Sequence, residues 1–166
     1  MSEAVLDAGP LIHLAELQAL DVLGDFSQLY VPAAVRQEVL TYQSKLFEMS
    51  SLPFHDVKLR YISSDLRTLA RIFSLDRGEI EALSFMEEHP TAIFLTDDAA
   101  ARLAAERQGY KVHGTIGLLI RAVRQGIRSP SETVQLLKDL PRLSSLHIRP
   151  VLLSEIINRL EAEWKQ

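Results

Sequence analysis

Five carboxylates in this chain have the type and setting for chemistry on a phosphate ester: Asp7, Glu38, Glu79, Asp97 and Asp98. Asp7 ends the short apolar run "AVLD" at 4–7, and the Asp97-Asp98 doublet follows the apolar run "AIFL" at 92–95. Glu38 lies in a helical stretch after Pro32, and Glu79 opens another after Gly78. Gathered by a fold, these side chains form an oxygen-only pocket. Like charges a few ångströms apart raise one another's pKa, and not all stay ionised. A divalent cation relieves the conflict, because Mg2+ and Mn2+ prefer oxygen ligands and Mg2+ takes one or two carboxylates together with waters and phosphate oxygens. A cation so held acidifies water and neutralises charge developing on a phosphodiester, so the chemistry to expect is phosphate-ester hydrolysis. Taken singly, each acid also has a structural reading. Asp98 heads an alanine-rich helix as a good N-cap, Glu79 complements a helix dipole, and Glu38 suits an exposed helix face. Glu81, two residues from Glu79, points to another side of its helix and is expected in solvent.

The elements that must position these acids alternate. Residues 4–7 read as a strand, Gly9-Pro10 as punctuation, and the following Leu11, Ile12, Leu14 and Ala15 as a helix. Leu29-Tyr30-Val31 is a second strand, with Pro32 in the first turn of the next helix. Residues 41–56 read as helix end plus loop, and the alternating "VKLRYI" at 57–62 as a strand with one exposed face. Helical spacing returns around Leu66–Phe73 and Ile80–Met86, and "AIFL" is the continuous apolar run of a strand buried on both faces. The helix after Asp98 ends at Gly109 in the position of a C-terminal cap, and Lys111-Val112 is a brief strand. A strongly amphipathic helix starts at Thr115 and carries apolar residues to Ile127. A helix over about 132–140, a loop from Pro141 to Pro150 and a helix from Val151 to Trp164 complete the chain. Strand–helix alternation implies an α/β fold, a central parallel sheet flanked by helices with C-terminal helices added. In such sheets the ligand site lies beyond the carboxyl ends of the strands, where Asp7 and Asp97-Asp98 fall.

The totals fit one soluble domain. The 166 residues are 47% hydrophobic and 24% charged, with no cysteine, which excludes disulfides, zinc–thiolate sites and thiol catalysis. No apolar run approaches a membrane span and the N-terminus lacks a secretory leader, so a cytoplasmic location is expected. The net charge of −4 conceals a division: residues 1–100 carry 7 Lys+Arg against 16 Asp+Glu, and residues 101–166 carry 11 against 6. A basic region beside an acidic cleft suits a polyanion whose cleavage needs a cation, and a chance distribution over solvated helices accounts for the division equally well.

Four stretches together resemble the PIN domains, in particular the branch related to VapC toxins: "VLDAGPLIHLAEL" at 5–17, "LYVPAAVRQEVL" at 29–40, "LDRGEIEAL" at 75–83 and "IFLTDDAAARLAAERQGYKVHGTIGLL" at 93–119. The similarity spans roughly residues 4–128, with order and spacing intact. It implies a nuclease domain over 1–128 with a helical tail, 129–166, packed on it. It also implies a Mg2+- or Mn2+-dependent endoribonuclease that leaves a 3′-hydroxyl and a 5′-phosphate, the toxin of a toxin–antitoxin pair, silenced by a small antitoxin protein. By motif Asp7, Glu38 and Glu79 match the family's first three acids. Asp98, two residues after Thr96, matches the fourth, with Asp97 as a second ligand or an orienting group. One departure is plain: relatives commonly carry Ser or Thr two residues after the first Asp, where this chain has Gly9. That difference supports an alternative, a catalytically degenerate PIN fold that binds RNA or protein. A receiver-like phosphoacceptor domain also gathers acids at strand ends, but the helical placement of Glu38 and Glu79 fits it poorly.

Arg102 sits one turn after Asp98, placed for a salt bridge with it or for a substrate phosphate, and Arg121, Arg124 and Arg128 have the spacing of one helical stripe, suited equally to an RNA backbone or to a solvated helix face. Thr115 is expected to cap its helix, and His113 to lie in a polar loop. The five histidines show no metal spacing. The apolar 115–127 helix and the C-terminal Ile156, Ile157, Leu160 and Trp164 suit either a core or the face of a homodimer. No phosphate-loop, dinucleotide or nucleophile-elbow motif is present.

Overall fold

A computed structural model of the protein describes residues 2–59 and 61–165. Five strands form one parallel sheet in the order β3-β2-β1-β4-β5, with β1 at Glu3–Leu6, β2 at Gln28–Pro32, β3 at Phe54–Val57, β4 at Ile93–Leu95 and β5 at Lys111–His113. Helices α1 (Ala8–Glu16), α2 (Ala33–Tyr42), α3 (Leu46–Met49), α4 (Ser64–Phe73), α5 (Arg77–Glu88) and α6 (Ala99–Arg107) lie in the crossovers. Helices α7 (Thr115–Arg124), α8 (Pro130–Leu143) and α9 (Pro150–Trp164) follow β5, and a short 3-10 helix at Leu20–Leu23 lies between α1 and β2. The α/β class, the parallel sheet and the added C-terminal helices are as the strand–helix alternation requires.

Period-two alternation divides the core between the two faces of the sheet. Ala4, Leu6, Leu29, Val31, Ile93 and Leu95 point into one cluster with α1, α2, α7 and buried Leu137, Leu140, Leu153 and Leu160 of the last two helices. Val5 and Phe94 point the other way, onto Leu83 and Met86 of α5 and the small residues Ala101, Ala104 and Ala105 of α6. A fully buried Phe94 or Leu95 contributes about 1.5–3 kcal/mol relative to exposure, so these two strands are fixed by burial on both sides. The apolar residues of α7 and α9 serve this core: Leu118, Leu119 and Ala122 are buried, and Ile156, Ile157 and Trp164 pack against it. Gly109 has φ +82° and closes α6, with Tyr110 N–H donating to Ala105 C=O at 3.1 Å, the left-handed stop expected there.

Several boundaries differ from expectation, each for a local reason. Helix α1 begins at Ala8, before the Gly9-Pro10 pair, because Asp7 caps it and the missing N–H of Pro10 falls among first-turn groups that have no intrahelical acceptor. Pro32 is the last residue of β2 and the N-cap of α2, not part of the helix's first turn. The strand expected at 57–62 lies at Phe54–Val57, inside the segment read as helix end and loop, which also holds the four-residue α3. Register explains the shift: Val57 pairs with Pro32, where β2 ends, so later residues have no strand to pair with. Arg60, part of that expectation, lies outside the described residues. Helix α8 continues through Pro141 to Leu143 rather than stopping at residue 140. The proline stands in the last turn beside buried Leu140, which anchors the helix into the core.

Candidate active site

The strand order reverses between β1 and β4, and beyond their carboxyl ends the acids collect. Asp7 leaves β1 with its N–H donating to Leu95 C=O at 2.9 Å, which sets it beside the end of β4. Its carboxylate is 6% exposed and has two partners. Oδ1 accepts from Ala8 N–H at 2.8 Å as the cap of α1, and Oδ2 accepts from the Thr96 hydroxyl at 2.7 Å. Thr96 Oγ1 in turn accepts from Asp98 N–H at 3.1 Å, so one buried hydroxyl links the first acid to the last. Asp98 caps α6 through Oδ1 and Ala101 N–H at 2.8 Å, and its carboxylate stays exposed.

Glu79 is 5% exposed in the first turn of α5, where it forms a reciprocal capping box with Asp76. Asp76 N–H donates to Glu79 Oε2 and Glu79 N–H donates to Asp76 Oδ1, each at 2.8 Å. Glu38 is exposed on α2. Burial and mutual repulsion act on these groups together. Burial pushes Asp7 up to about 6, outweighing its bonds to Thr96 and Ala8, with Asp76 and Glu38 adding repulsion. Burial likewise pushes Glu79 up to about 7, and Asp76, Asp7 and Asp98 repel it further. Glu38, though on the surface, is raised by partial desolvation of its carboxyl and by Asp76. Asp7, Glu38, Glu79 and Asp98 therefore share one region, together with Asp76, which the sequence reading passed over. Its signal was present, an Asp three residues before a Glu at a helix start.

Asp97 is turned elsewhere. Its Oδ1 accepts from Thr115 N–H at 2.7 Å, and its Oδ2 accepts from the Thr115 hydroxyl and from His13 Nδ1 at 2.6 Å. Burial alone would raise its pKa, but these bonds hold the carboxyl below its usual range. Thr115 is thus the fully buried first residue of α7 bound to Asp97, not the cap of that helix; the cap is Gly114. A Cβ on Gly114 would meet Asp97 Oδ1 at 2.9 Å and Thr96 C=O at 3.3 Å, so the close approach requires glycine.

Glu81, expected in solvent, is 6% exposed and accepts from Ala34 N–H at 3.1 Å. The side of α5 that it occupies faces the N-terminus of α2, where its charge is stabilised by the free amides, and it fixes the helix that carries Glu38. The expected helical stripe of arginines is broken, because α7 ends at Arg124 and Gly126 turns the chain at φ +72°, which leaves Arg128 beyond the helix. Arg121 pairs with Asp25 at 2.7 Å and lies over the Phe26 ring, and Arg128 pairs with Asp21 at 2.6 Å, so these two are engaged with the fold. Arg102 approaches Glu106 at 3.7 Å rather than Asp98. Arg124 is exposed. His113 ends β5 instead of lying in a loop, and its pKa is lowered by burial and by Arg121, Arg102, Lys111 and Arg124, which marks a cationic cluster at that edge of the sheet.

The donor set fits a hard dication in one respect and departs in another. Asp7, Glu38, Asp76, Glu79 and Asp98 make no ion pair with Lys, Arg or His among the described residues, which leaves an oxygen-only, unneutralised group suited to Mg2+ or Mn2+. Among the described residues, however, no three carboxylates or imidazoles converge into a ready cage. The arrangement suits a hydrated ion that keeps several waters and takes one or two carboxylates directly.

No helix among the described residues is long and apolar enough to cross a membrane. No curated protein matches the chain. The PIN-domain family DUF3368 matches residues 3–162, nearly the whole length, and the chain, with its parallel sheet and acids at the β1/β4 switch point, belongs to that family.

Proposed function

We propose that the protein is a Mg2+- or Mn2+-dependent endoribonuclease. The observation that supports this reading best is the group of acids at the sheet's carboxyl edge, unpaired with any basic side chain among the described residues, with a separate group of cations around His113. When bound, a divalent cation supplies charge stabilisation for the scissile phosphate and acidifies water at neutral pH. In this reading Asp7 and Glu79, fixed by Thr96 and by the capping box, hold the ion directly, and Glu38, Asp98 and Asp76 hold it through water. Arg102, Lys111 and Arg124 steer the RNA backbone, whereas Arg121 and Arg128 act through their ion pairs with the fold. A trough of about 770 Å3, lined by Ala33, Lys58, Arg77, Ile80 and Glu81 among others and so beside the start of α5 that carries Glu79, gives single-stranded RNA room to continue. Hydrolysis would leave a 3′-hydroxyl and a 5′-phosphate. The toxin role and a small antitoxin covering the cleft are proposed on the resemblance to VapC-related proteins alone, and a homodimer on the apolar character of α7 and α9, much of which already serves the core.

Incubation with a labelled RNA of mixed sequence tests the proposal. Cleavage is expected with Mn2+, is abolished by EDTA, and is lost in Asp98→Asn, whose amide oxygen still caps α6. A second reading, a PIN fold that binds without cutting, draws support from the absence of a closed cage and from Gly9. RNA retained on the native protein with Mn2+ but never cleaved would establish it. For the backbone contact, Arg124→Ala is expected to weaken RNA binding and to reduce the slope of log K against log salt by about 0.7, the value for one single-strand phosphate contact. An unchanged slope removes Arg124 from the track.

A further inference from the structure

Asp97 has three bonds at the sheet edge and none within the acid pocket. The carboxylate accepts from the Thr115 N–H and hydroxyl, and a carboxylate oxygen is an acceptor, so the 2.6 Å contact has His13 donating from Nδ1. His13 lies four residues after Gly9 on α1, and residues so spaced share a helix face. A Cβ built on Gly9 would stand 3.5 Å from Asp97 Cβ, 3.6 Å from Asp97 Oδ2 and 3.6 Å from His13 Cε1. These are ordinary contacts, so the space accepts a small side chain. A hydroxyl one bond further out reaches the same Oδ2 that His13 already serves. Positions 9 and 13 are two routes from α1 to one oxygen, and this chain uses the longer one.

We propose that His13 is a positioning residue of the acid pocket, doing through Asp97 what a hydroxyl at position 9 would otherwise do. The turn at 96–98 carries both links of the pocket. Thr96 donates to Asp7, and Asp98 is held by its N–H on the Thr96 oxygen. Asp97 lies between them and is clamped by α7 through Thr115 and by α1 through His13. Removing the α1 clamp frees this turn to move against Asp7, which α1 also carries as its cap. The consequence for cation binding rests on the endoribonuclease reading, whereas the exchange between positions 9 and 13 stands on geometry.

The test is a set of variants with two readouts, Mn2+ affinity by titration calorimetry and the unfolding midpoint of the cation-free protein. His13→Ala is expected to weaken Mn2+ binding by about 10–100-fold, the usual loss when a partner of a metal ligand is removed, and to lower the midpoint by about 4–8 °C. Adding Gly9→Ser to His13→Ala restores affinity to within about threefold of native and recovers most of the midpoint. Gly9→Ala in the same background controls for helix propensity and is expected to leave affinity weak, since it lacks the hydroxyl. Should His13→Ala not fold, His13→Gln, whose amide can still donate, provides the comparison and is expected to bind Mn2+ as the native chain does. Equal behaviour of the serine and alanine double variants overturns the proposal, as does native affinity in His13→Ala. If the native protein takes up no Mn2+, the nuclease reading fails, and the cation-free midpoints alone then support or overturn the exchange.

Discussion

Asp7→Asn is expected to reduce cation-dependent RNA cleavage by roughly 100-fold or more, since the stabilisation lost is several kcal/mol and each 1.4 kcal/mol is a factor of ten. The same substitution is expected to make the cation-free protein more stable at neutral pH. Burial lifts the Asp7 carboxyl from 3.8 to about 6, so carrying its charge at neutral pH costs the fold on the order of 3 kcal/mol at 1.36 kcal/mol per unit. Asparagine carries no charge and its oxygen still caps α1 through Ala8 N–H. What it loses is the acceptor for the Thr96 hydroxyl, a neutral bond worth about 1 kcal/mol. The net gain of about 2 kcal/mol corresponds to a rise of roughly 4–8 °C in the unfolding midpoint for a chain of this size. Thermal unfolding in EDTA and a cleavage assay on the same preparation measure both effects. Activity within tenfold of native would remove Asp7 from the site, and a lower midpoint would show that its charge is well accommodated without a cation.

Such a cost is legible in the sequence only in part. The strand ends were readable because apolar runs halt at Asp7 and at Thr96, and the sheet order then places those ends side by side. Local periodicity also found α5 and α7, whose apolar faces enter the two cores. Long-range polar partners were not readable. His13 and Asp97 are 84 residues apart, and no short pattern links an imidazole on the first helix to a carboxylate after the fourth strand. The arginines at 121, 124 and 128 show the same limit, because their spacing suits one helix face but α7 ends at Arg124, and Asp25 and Asp21, 96 and 107 residues away, decide what Arg121 and Arg128 do. The third strand was misplaced for a related reason. Alternation in "VKLRYI" measures which residues could sit on a sheet, whereas pairing with β2 selects Phe54–Val57. Asp76 differs, since its capping box with Glu79 is a local pattern and shows that an acid can belong both to a helix terminus and to the pocket.

The remaining carboxylates extend the Asp7 argument to the whole protein, which in EDTA is expected to lose stability as pH rises from about 4.5 to about 8. A group whose folded pKa is raised gives its full stabilisation below its unfolded pKa and loses it as pH rises through the folded value. Asp7 rises from 3.8 to about 6 and Glu79 from 4.5 to about 7, and Glu38 is raised as well, so all three act in the same window. Because Asp7 and Glu79 repel each other, their contributions do not simply add, and the combined loss is on the order of 3–5 kcal/mol. Asp97 opposes this at the acid end, where its lowered pKa stabilises above 3.8 and is lost on further acidification, and His113, lowered from 6.5, opposes it up to about pH 6.5 as one group against three. Stability should therefore be greatest near pH 4–5, below the usual neutral range. Mn2+ competes with protons for the same oxygens, so its stabilising effect should be small near pH 5 and large near pH 8, flattening or inverting the slope. Urea unfolding across this range, with EDTA and with Mn2+, provides the measurement. A stability that climbs toward pH 8 in EDTA would mean that the acids at the sheet edge are already compensated by the protein, and a pocket compensated in that way has no electrostatic need for a cation.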